Sequence, residues 1–138
     1  MTTFFFIFTL ILVGVIDAAT RKIPPVFPLF ISLLALLKFA HSPETLTSGV
    51  IGLFALGIPM LLLAMYKGGL GGGDIKLAAA CGLYLGADAA LSGLLIAGVL
   101  ALMVQAVCLL CNKKNSPKAS FAFGPYLAVG FLLAAFVC

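Results

Sequence analysis

Long apolar stretches alternate with short polar, glycine-containing or proline-containing breaks along this chain. A helix needs about 20 mostly apolar residues to cross a bilayer. The breaks include paired prolines and a segment rich in glycine, which favour helix ends. Ser42 followed by Pro43 predicts an N-cap with proline at the first helical position of the third span. The pattern therefore predicts an all-α, polytopic membrane protein with about six transmembrane helices in one domain. The predicted spans are about 3–19, 25–40, 43–66, 74–87, 89–111 and 121–138.

One of these apolar stretches is too long for a single span. Residues 77–111 contain one charged side chain, Asp88. As one helix they would extend over about 50 Å, whereas the hydrocarbon core of a bilayer is about 30 Å thick. We therefore predict that the chain folds back near Gly86, with Asp88 as the N-cap of the returning helix. In the last span, Gly124 and Pro125 are expected to interrupt the helix early.

The composition excludes an ordinary soluble domain. Of the 138 residues, 64% are hydrophobic and 9% are charged, against about 45–50% and about 25% in soluble domains. The first apolar run follows no basic segment and precedes no A-x-A site, so we interpret it as a retained helix rather than a signal peptide. The four cysteines lack the spacing of a zinc site or a disulfide framework. We predict neither a metal ion nor another cofactor.

The basic residues predict an orientation in the membrane. Every Lys and Arg except Lys38 follows the first, third or fifth predicted span, and these three loops lie on one side. By the positive-inside rule that side is cytoplasmic, and both termini face outward. The net charge of +4 thus reflects topology and contact with membrane lipid, and we expect no nucleic-acid partner. The residues in question are Arg21, Lys22, Lys67, Lys76, Lys113, Lys114 and Lys118.

Two of the four acidic residues stand out. Glu44 and Asp88 fall in predicted outer loops, whereas Asp17 and Asp74 fall at the cytoplasmic ends of two spans, at similar depth. Acidic side chains at such places are costly and are commonly functional. A purely structural interpretation pairs Asp17 with Arg21 one turn later and makes Asp74 a helix N-cap.

The segment before Asp74 favours the functional interpretation. Five of the six residues 68–73 are glycine, more than a tight turn requires. Glycines let another backbone approach closely, and no G-K-[ST] sequence follows that would indicate a phosphate-binding loop. An extended peptide substrate beside this loop fits the pattern better.

These residues carry a resemblance to a known family. Gly71-Gly72-Gly73-Asp74 matches the GxGD signature of membrane aspartyl proteases, and with Ile75 and Lys76 it resembles the type IV prepilin peptidase family. Asp17 followed by Arg21, Ile23 and Pro24 is similar to the family's first motif, and Phe123-Gly124-Pro125 to its late F-G-P element. The family often has asparagine where this chain has Pro25.

The resemblance implies an activity and a place in the cell. It implies an aspartic endopeptidase of the bacterial inner membrane that removes leader peptides from prepilins or pseudopilins at the cytoplasmic face, with Asp17 and Asp74 as catalytic residues. The chain looks like the minimal form found with Flp-type (tight-adherence) pili, which lacks the domain linked to N-methylation. The residues implied to bind substrate or shape the loops are Arg21, Pro24, Gly71, Gly72, Gly73, Lys76, Gly124 and Pro125.

Other classes of protein remain open at this point. A presenilin-type protease shares GxGD, but Ile16 rather than tyrosine precedes Asp17, and no P-A-L segment is present. A small transporter or channel that uses Asp17 and Asp74 as a proton or ion relay is the main alternative. A non-catalytic assembly factor is the third. Lys76 has two possible roles, pairing with an acidic substrate residue or anchoring its helix at the membrane interface.

Overall fold

A computed structural model describes residues 1–20, 24–67, 72–110 and 124–137. All regular structure within these ranges is helical, which confirms the predicted all-α class. The helix boundaries fall within a few residues of the predicted spans. The six helices are α1 (Thr2–Thr20), α2 (Val26–His41), α3 (Thr45–Lys67), α4 (Gly72–Leu85), α5 (Ala87–Leu110) and α6 (Gly124–Val137).

The surface of the helix bundle is largely apolar. Helices α1, α3 and α5 are long and apolar enough to cross a membrane, while α2 and α6 are shorter apolar helices. No more than 28% of the apolar stretch of each long helix is buried, so most of its hydrophobic side chains point outward. That distribution is expected when lipid rather than water surrounds the bundle, and the chain is a multi-pass membrane protein.

Helix α4 lies at the centre of the bundle. It packs against α2, α3 and α5 and reaches α6, while α1 packs against α6 and α2. Its buried side chains include Leu77, Ala78, Cys81 and Tyr84. Together with Phe6, Leu10 and Val13 of α1 they form part of one hydrophobic core. The shortest predicted span is therefore the most enclosed one.

Glycine pairs bring two pairs of helices into close contact. A Cβ at Gly82 of α4 would collide with the backbone oxygen of Gly52 in α3, and the reverse holds as well. A Cβ at Gly130 of α6 would likewise collide with the backbone oxygen of Gly93 in α5. Small residues at helix crossings are typical of membrane proteins, because tight packing replaces the hydrophobic effect between helices there.

The chain turns between α4 and α5 at Gly86, as predicted. Gly86 has φ 90°, a conformation that costs residues with a Cβ roughly 1–2 kcal/mol. The Gly86 carbonyl accepts the N–H of Ala90, so Gly86 itself occupies the N-cap. The predicted N-cap, Asp88, is instead an exposed residue in the first turn of α5. There its charge still favours the positive end of the helix dipole.

Two other predicted helix ends are corrected by small shifts. Helix α3 begins at Thr45, and Ser42 serves as the C-cap of α2, donating its N–H to the Lys38 carbonyl. The Ser42 carbonyl then accepts both the N–H and the hydroxyl of Thr45. At the other end of the chain, Gly124 and Pro125 open α6. Proline suits the first turn because its missing N–H would have no partner there.

Candidate active site

Asp17 and Asp74 lie inside the bundle at facing ends of two helices. Asp17 is in the last turn of α1 and is 4% exposed, and Asp74 is the third residue of α4 and is 8% exposed. Among the described residues the buried polar or charged side chains are Thr9, Asp17 and Asp74. Buried carboxylates are expensive, so a position inside the bundle for both indicates a purpose beyond packing.

The periodicity of each helix explains why its aspartate points inward. The buried residues of α1 are Phe6, Thr9, Leu10, Val13 and Asp17, which recur every three or four positions and so form one stripe. Asp17 continues an apolar stripe that faces the core. Asp74 begins a corresponding stripe on α4 that includes Leu77, Ala78 and Cys81.

Helices α1 and α4 run antiparallel, and in each the aromatic residue and the aspartate are separated by nearly the same length of helix. Phe6 near the start of α1 stacks on Tyr84 near the end of α4, with ring centroids 4.2 Å apart. Asp17 lies 11 residues beyond Phe6, about 16 Å along α1, and Asp74 lies 10 residues before Tyr84, about 15 Å along α4. Because these two lengths are nearly equal, the Asp17 and Asp74 carboxyl groups lie at the same depth at the opposite end of the bundle.

The two carboxyl groups are close enough for the charge of Asp17 to act on that of Asp74. Oδ1 of Asp74 is buried and accepts no hydrogen bond from the described residues, and Oδ2 of Asp17 is buried as well. Two carboxylates held close together away from water do not ionise together readily. The arrangement suits a pair that shares one proton, with one member as base and the other as acid.

The structural interpretation of Asp74 as an N-cap is wrong. An N-cap residue precedes the helix, whereas Asp74 lies within the first turn of α4, and its Oδ1 accepts no hydrogen bond from the described residues. The proposed pairing partner of Asp17, Arg21, lies outside the described residues.

The glycines and prolines of the three motifs differ in how far they are exposed. Gly72 is exposed, and a Cβ there would meet nothing within 4 Å, while Gly73 is half-buried. Pro24 is half-buried and its carbonyl accepts the N–H of Phe27. Pro125 is half-buried at the start of α6, beside Gly124. Gly71 lies outside the described residues.

Lys76 is not brought to the carboxyl pair. It is exposed, whereas Asp74 is buried, and two residues correspond to about 200° around a helix. The side chain therefore leaves from the other side of α4. Both sequence-based interpretations of Lys76, as a substrate contact and as an interfacial anchor, need such an outward position.

One polar cluster was not anticipated from the sequence. Lys38, noted only for being the basic residue on the other face, donates from Nζ to the Tyr84 carbonyl at 2.9 Å. A lysine inside the apolar run 25–40 was the available signal, because a charge within a span usually has a partner. The identity of that partner depends on how α2 packs against α4.

The described residues contain no group of three or more His, Cys, Asp or Glu side chains able to hold a metal ion. Cys81 is a free thiol and is fully buried in the core.

The fold and this site define a class: a multi-pass helical membrane protein with a buried aspartate pair. The family model described as the type IV leader peptidase family matches residues 4–106, a segment that contains both aspartates. The chain belongs to this family, as the sequence motifs indicated.

One curated relative supports the same placement. The chain is 33% identical over 128 residues to a prepilin leader peptidase/N-methyltransferase from Pectobacterium carotovorum subsp. carotovorum. The alignment covers 88% of this chain and 46% of the relative, so the chain spans about half the length of the curated relative it matches. No solved structure matches the chain.

Proposed function

We propose that this protein is an aspartic endopeptidase of the bacterial inner membrane that removes the leader peptide of type IV prepilins or pseudopilins, of the Flp-like kind. The observation that carries the proposal is the buried Asp17–Asp74 pair within the segment matched by the leader peptidase family. A peptidase needs a base and an acid at one place, and no other acidic residue among those described is buried.

In the proposed reaction the pair activates water. The ionised carboxyl group takes a proton from a water molecule as the water oxygen attacks the scissile carbonyl carbon. The protonated carboxyl group donates a hydrogen bond to the developing oxyanion. When the C–N bond breaks, the amine leaves with a proton delivered by the pair, and the two carboxyl groups again share one proton. The reaction needs no cofactor.

The position of the pair suits a substrate with one part in water and one part in lipid. By family resemblance, a prepilin has a short basic leader, a glycine before the scissile bond and an apolar helix after it. Asp17 and Asp74 lie at helix ends, and the six-span topology proposed from the sequence places those ends at the cytoplasmic face. The leader then remains in the cytoplasm, and the apolar helix stays at the level of the apolar bundle surface.

Exposed Gly72 supports a path for the substrate next to the pair. Nothing within the described residues lies where its Cβ would be, so packing inside the chain does not require glycine there. An extended peptide passing over the start of α4 does require a small residue. We assign the basic loops to topology and to contact with anionic lipid, because a basic leader would be repelled by them.

The test is co-expression of the full chain with prepilins and pseudopilins encoded in the same genome, with cleavage detected as a mobility shift. Wild type, Asp17→Asn and Asp74→Asn are compared at equal membrane levels. Asp88→Asn is the matched control, because it makes the same chemical change at an exposed acid. Cleavage by wild type and the control alone supports the proposal.

Other results contradict it. Cleavage that persists in both Asn variants removes the pair from the reaction. If no prepilin is cleaved, proton-flux measurements on Asp17→Glu and Asp74→Glu address the relay alternative, because a relay tolerates a longer carboxylate side chain better than a close catalytic pair does.

A further inference from the structure

A second cluster joins three helices at the end of the bundle opposite the aspartates. We call it the Tyr84 clasp and define it as Thr3 and Phe6 of α1, Lys38 of α2 and Tyr84 of α4. The Phe6 and Tyr84 rings are stacked at an interplanar angle of 14°. Lys38 Nζ lies 4.7 Å from the centroid of the Tyr84 ring, and the Tyr84 hydroxyl donates to the Thr3 hydroxyl over a long 3.5 Å.

The ammonium group of Lys38 contacts two different groups of Tyr84, the backbone carbonyl and the aromatic ring. Its ammonium donates to the Tyr84 carbonyl at 2.9 Å, one of the last four carbonyls of α4, which have no partner within the helix. A cation there also interacts favourably with the negative end of the helix dipole. The same ammonium is attracted to the face of the aromatic ring. Lys38 therefore restrains both the backbone and the side chain of Tyr84.

The clasp is a place where side chains of α1 and α4 meet directly, whereas the backbone of α1 packs against α6 and α2 and that of α4 against α2, α3 and α5. Between Asp74 and Tyr84, most of the buried residues of α4 are small, namely Ala78, Ala80, Cys81 and Gly82. Such surfaces resist sliding weakly. The Phe6–Tyr84 stack fixes how α1 and α4 are aligned along their axes at one end. The aspartates lie at nearly equal distances from this stack, about 16 Å along α1 and about 15 Å along α4, so the same alignment places the two carboxyl groups side by side.

We propose that Lys38 and Tyr84 are positioning residues for the Asp17–Asp74 pair, acting from a distance of about 15 Å through the register of α1 against α4. Their loss lets the carboxyl groups move relative to each other while the bundle stays folded. A displacement of about 1 Å at reacting groups costs as much as 10²-fold in rate. The kinetic consequence rests on the proposed peptidase function, whereas the register itself does not.

The decisive experiment measures the register directly. Cys108, Cys111 and Cys138 are replaced by alanine, Cys81 is kept because it is fully buried, and Asp17→Cys and Asp74→Cys are combined. A short bifunctional thiol reagent then cross-links the two positions in membranes. We expect Lys38→Met to slow cross-linking at least about fivefold, because methionine keeps the apolar stem but has neither donor nor charge.

Conservative variants and a matched control separate positioning from general loosening. Lys38→Arg keeps the charge, and Tyr84→Phe keeps the ring and the backbone carbonyl, so both are expected to cross-link nearly as fast as the parent. Phe131→Leu shortens a fully buried side chain of α6 beside Gly93 of α5, and Phe131 is not a residue of the clasp. It should leave the cross-linking rate unchanged.

In the chain with both aspartates intact, Lys38→Met is expected to lower kcat about 10-fold with KM changed less than twofold, and Lys38→Arg to restore most of it. Unchanged cross-linking in Lys38→Met overturns the inference, as does equal slowing by Phe131→Leu. Slower cross-linking in a chain that cleaves no prepilin supports the register and contradicts the proposed function instead.

Discussion

The two ends of α4 are built in opposite ways. At the end near Leu85 the chain is tightly enclosed: Gly82 touches α3, Tyr84 is held by α1 and α2, and Gly86 makes a tight turn. At the other end Gly72 faces open space, and Asp74 is a buried acid beside a second one. One end of the helix is closely packed against its neighbours, and the other holds two acids that are costly to bury and to which we assign the proposed reaction.

The largest expected effect separates activity from stability at the acidic end. Asp74→Asn should lower kcat by about 10³-fold or more, because the pair loses a proton-transfer group. The same change should raise the free energy of unfolding by about 1 kcal/mol, because a neutral amide costs less to bury than a carboxyl group that ionises beside a second acid. Stability is followed through the thiol of Cys81 in a chain whose Cys108, Cys111 and Cys138 are alanine, since unfolding exposes it to a fluorescent reagent.

Asp88→Asn is the control for this prediction. It should alter both quantities little, with a stability change within about 0.5 kcal/mol, because Asp88 is exposed. If Asp74→Asn were as unstable as a core variant, the view that the acidic end sacrifices stability for function would be wrong.

The reverse pattern is expected at the enclosed end. Gly82→Ala should destabilise the protein by about 1–3 kcal/mol, because its Cβ meets the backbone of Gly52 and the two helices must separate. Activity per folded molecule should fall much less than in Asp74→Asn. The measurement is thermal unfolding in detergent together with cleavage normalised to folded protein. Gly98→Ala in α5 is the control, because a Cβ there meets nothing within 4 Å.

A smaller loss is expected at the turn. Gly86→Ala should cost about 1–2 kcal/mol, because alanine is strained at φ 90°. Its Cβ would also lie 2.6 Å from the Ser48 hydroxyl oxygen. Ser48→Ala in the same chain should recover the part of the loss that comes from this contact and leave the backbone part. A full recovery would show that the backbone conformation contributes nothing.

The smallest effect on stability, and the sharpest contrast with Gly82, is expected at Gly72. Gly72→Ala should change the free energy of unfolding by less than about 1 kcal/mol, because the Cβ enters open space. If the peptide substrate passes there, KM should rise several-fold with kcat changed less. Steady-state cleavage of a purified prepilin measures both constants. Unchanged KM and kcat would move the substrate path away from the start of α4.

Much of the fold followed from local patterns. Hydrophobic stretches, prolines and glycines predicted all six helices to within a few residues, because in a bilayer each helix satisfies its own backbone hydrogen bonds and is recognised by length and apolarity alone. The errors were at helix caps. Asp88 was predicted as the N-cap of α5, but Gly86 occupies that position. Ser42 was predicted as the N-cap of α3, but it is the C-cap of α2. Which of several neighbouring residues caps a helix depends on how the chain turns before that helix, and a local sequence pattern does not encode the turn.

The sequence by itself determined the class of protein and the family, and it singled out Asp17 and Asp74 as candidate residues, because a carboxyl group at the end of an apolar span and a GxGD motif are local and rare. The tertiary structure alone decided that Asp17 and Asp74 lie on stripes facing the same core, that Lys76 points away, and that Lys38 reaches Tyr84. These facts depend on the rotation and register of α1, α2 and α4 against one another. Those are set by side-chain contacts between residues as far apart in the chain as Phe6 and Tyr84.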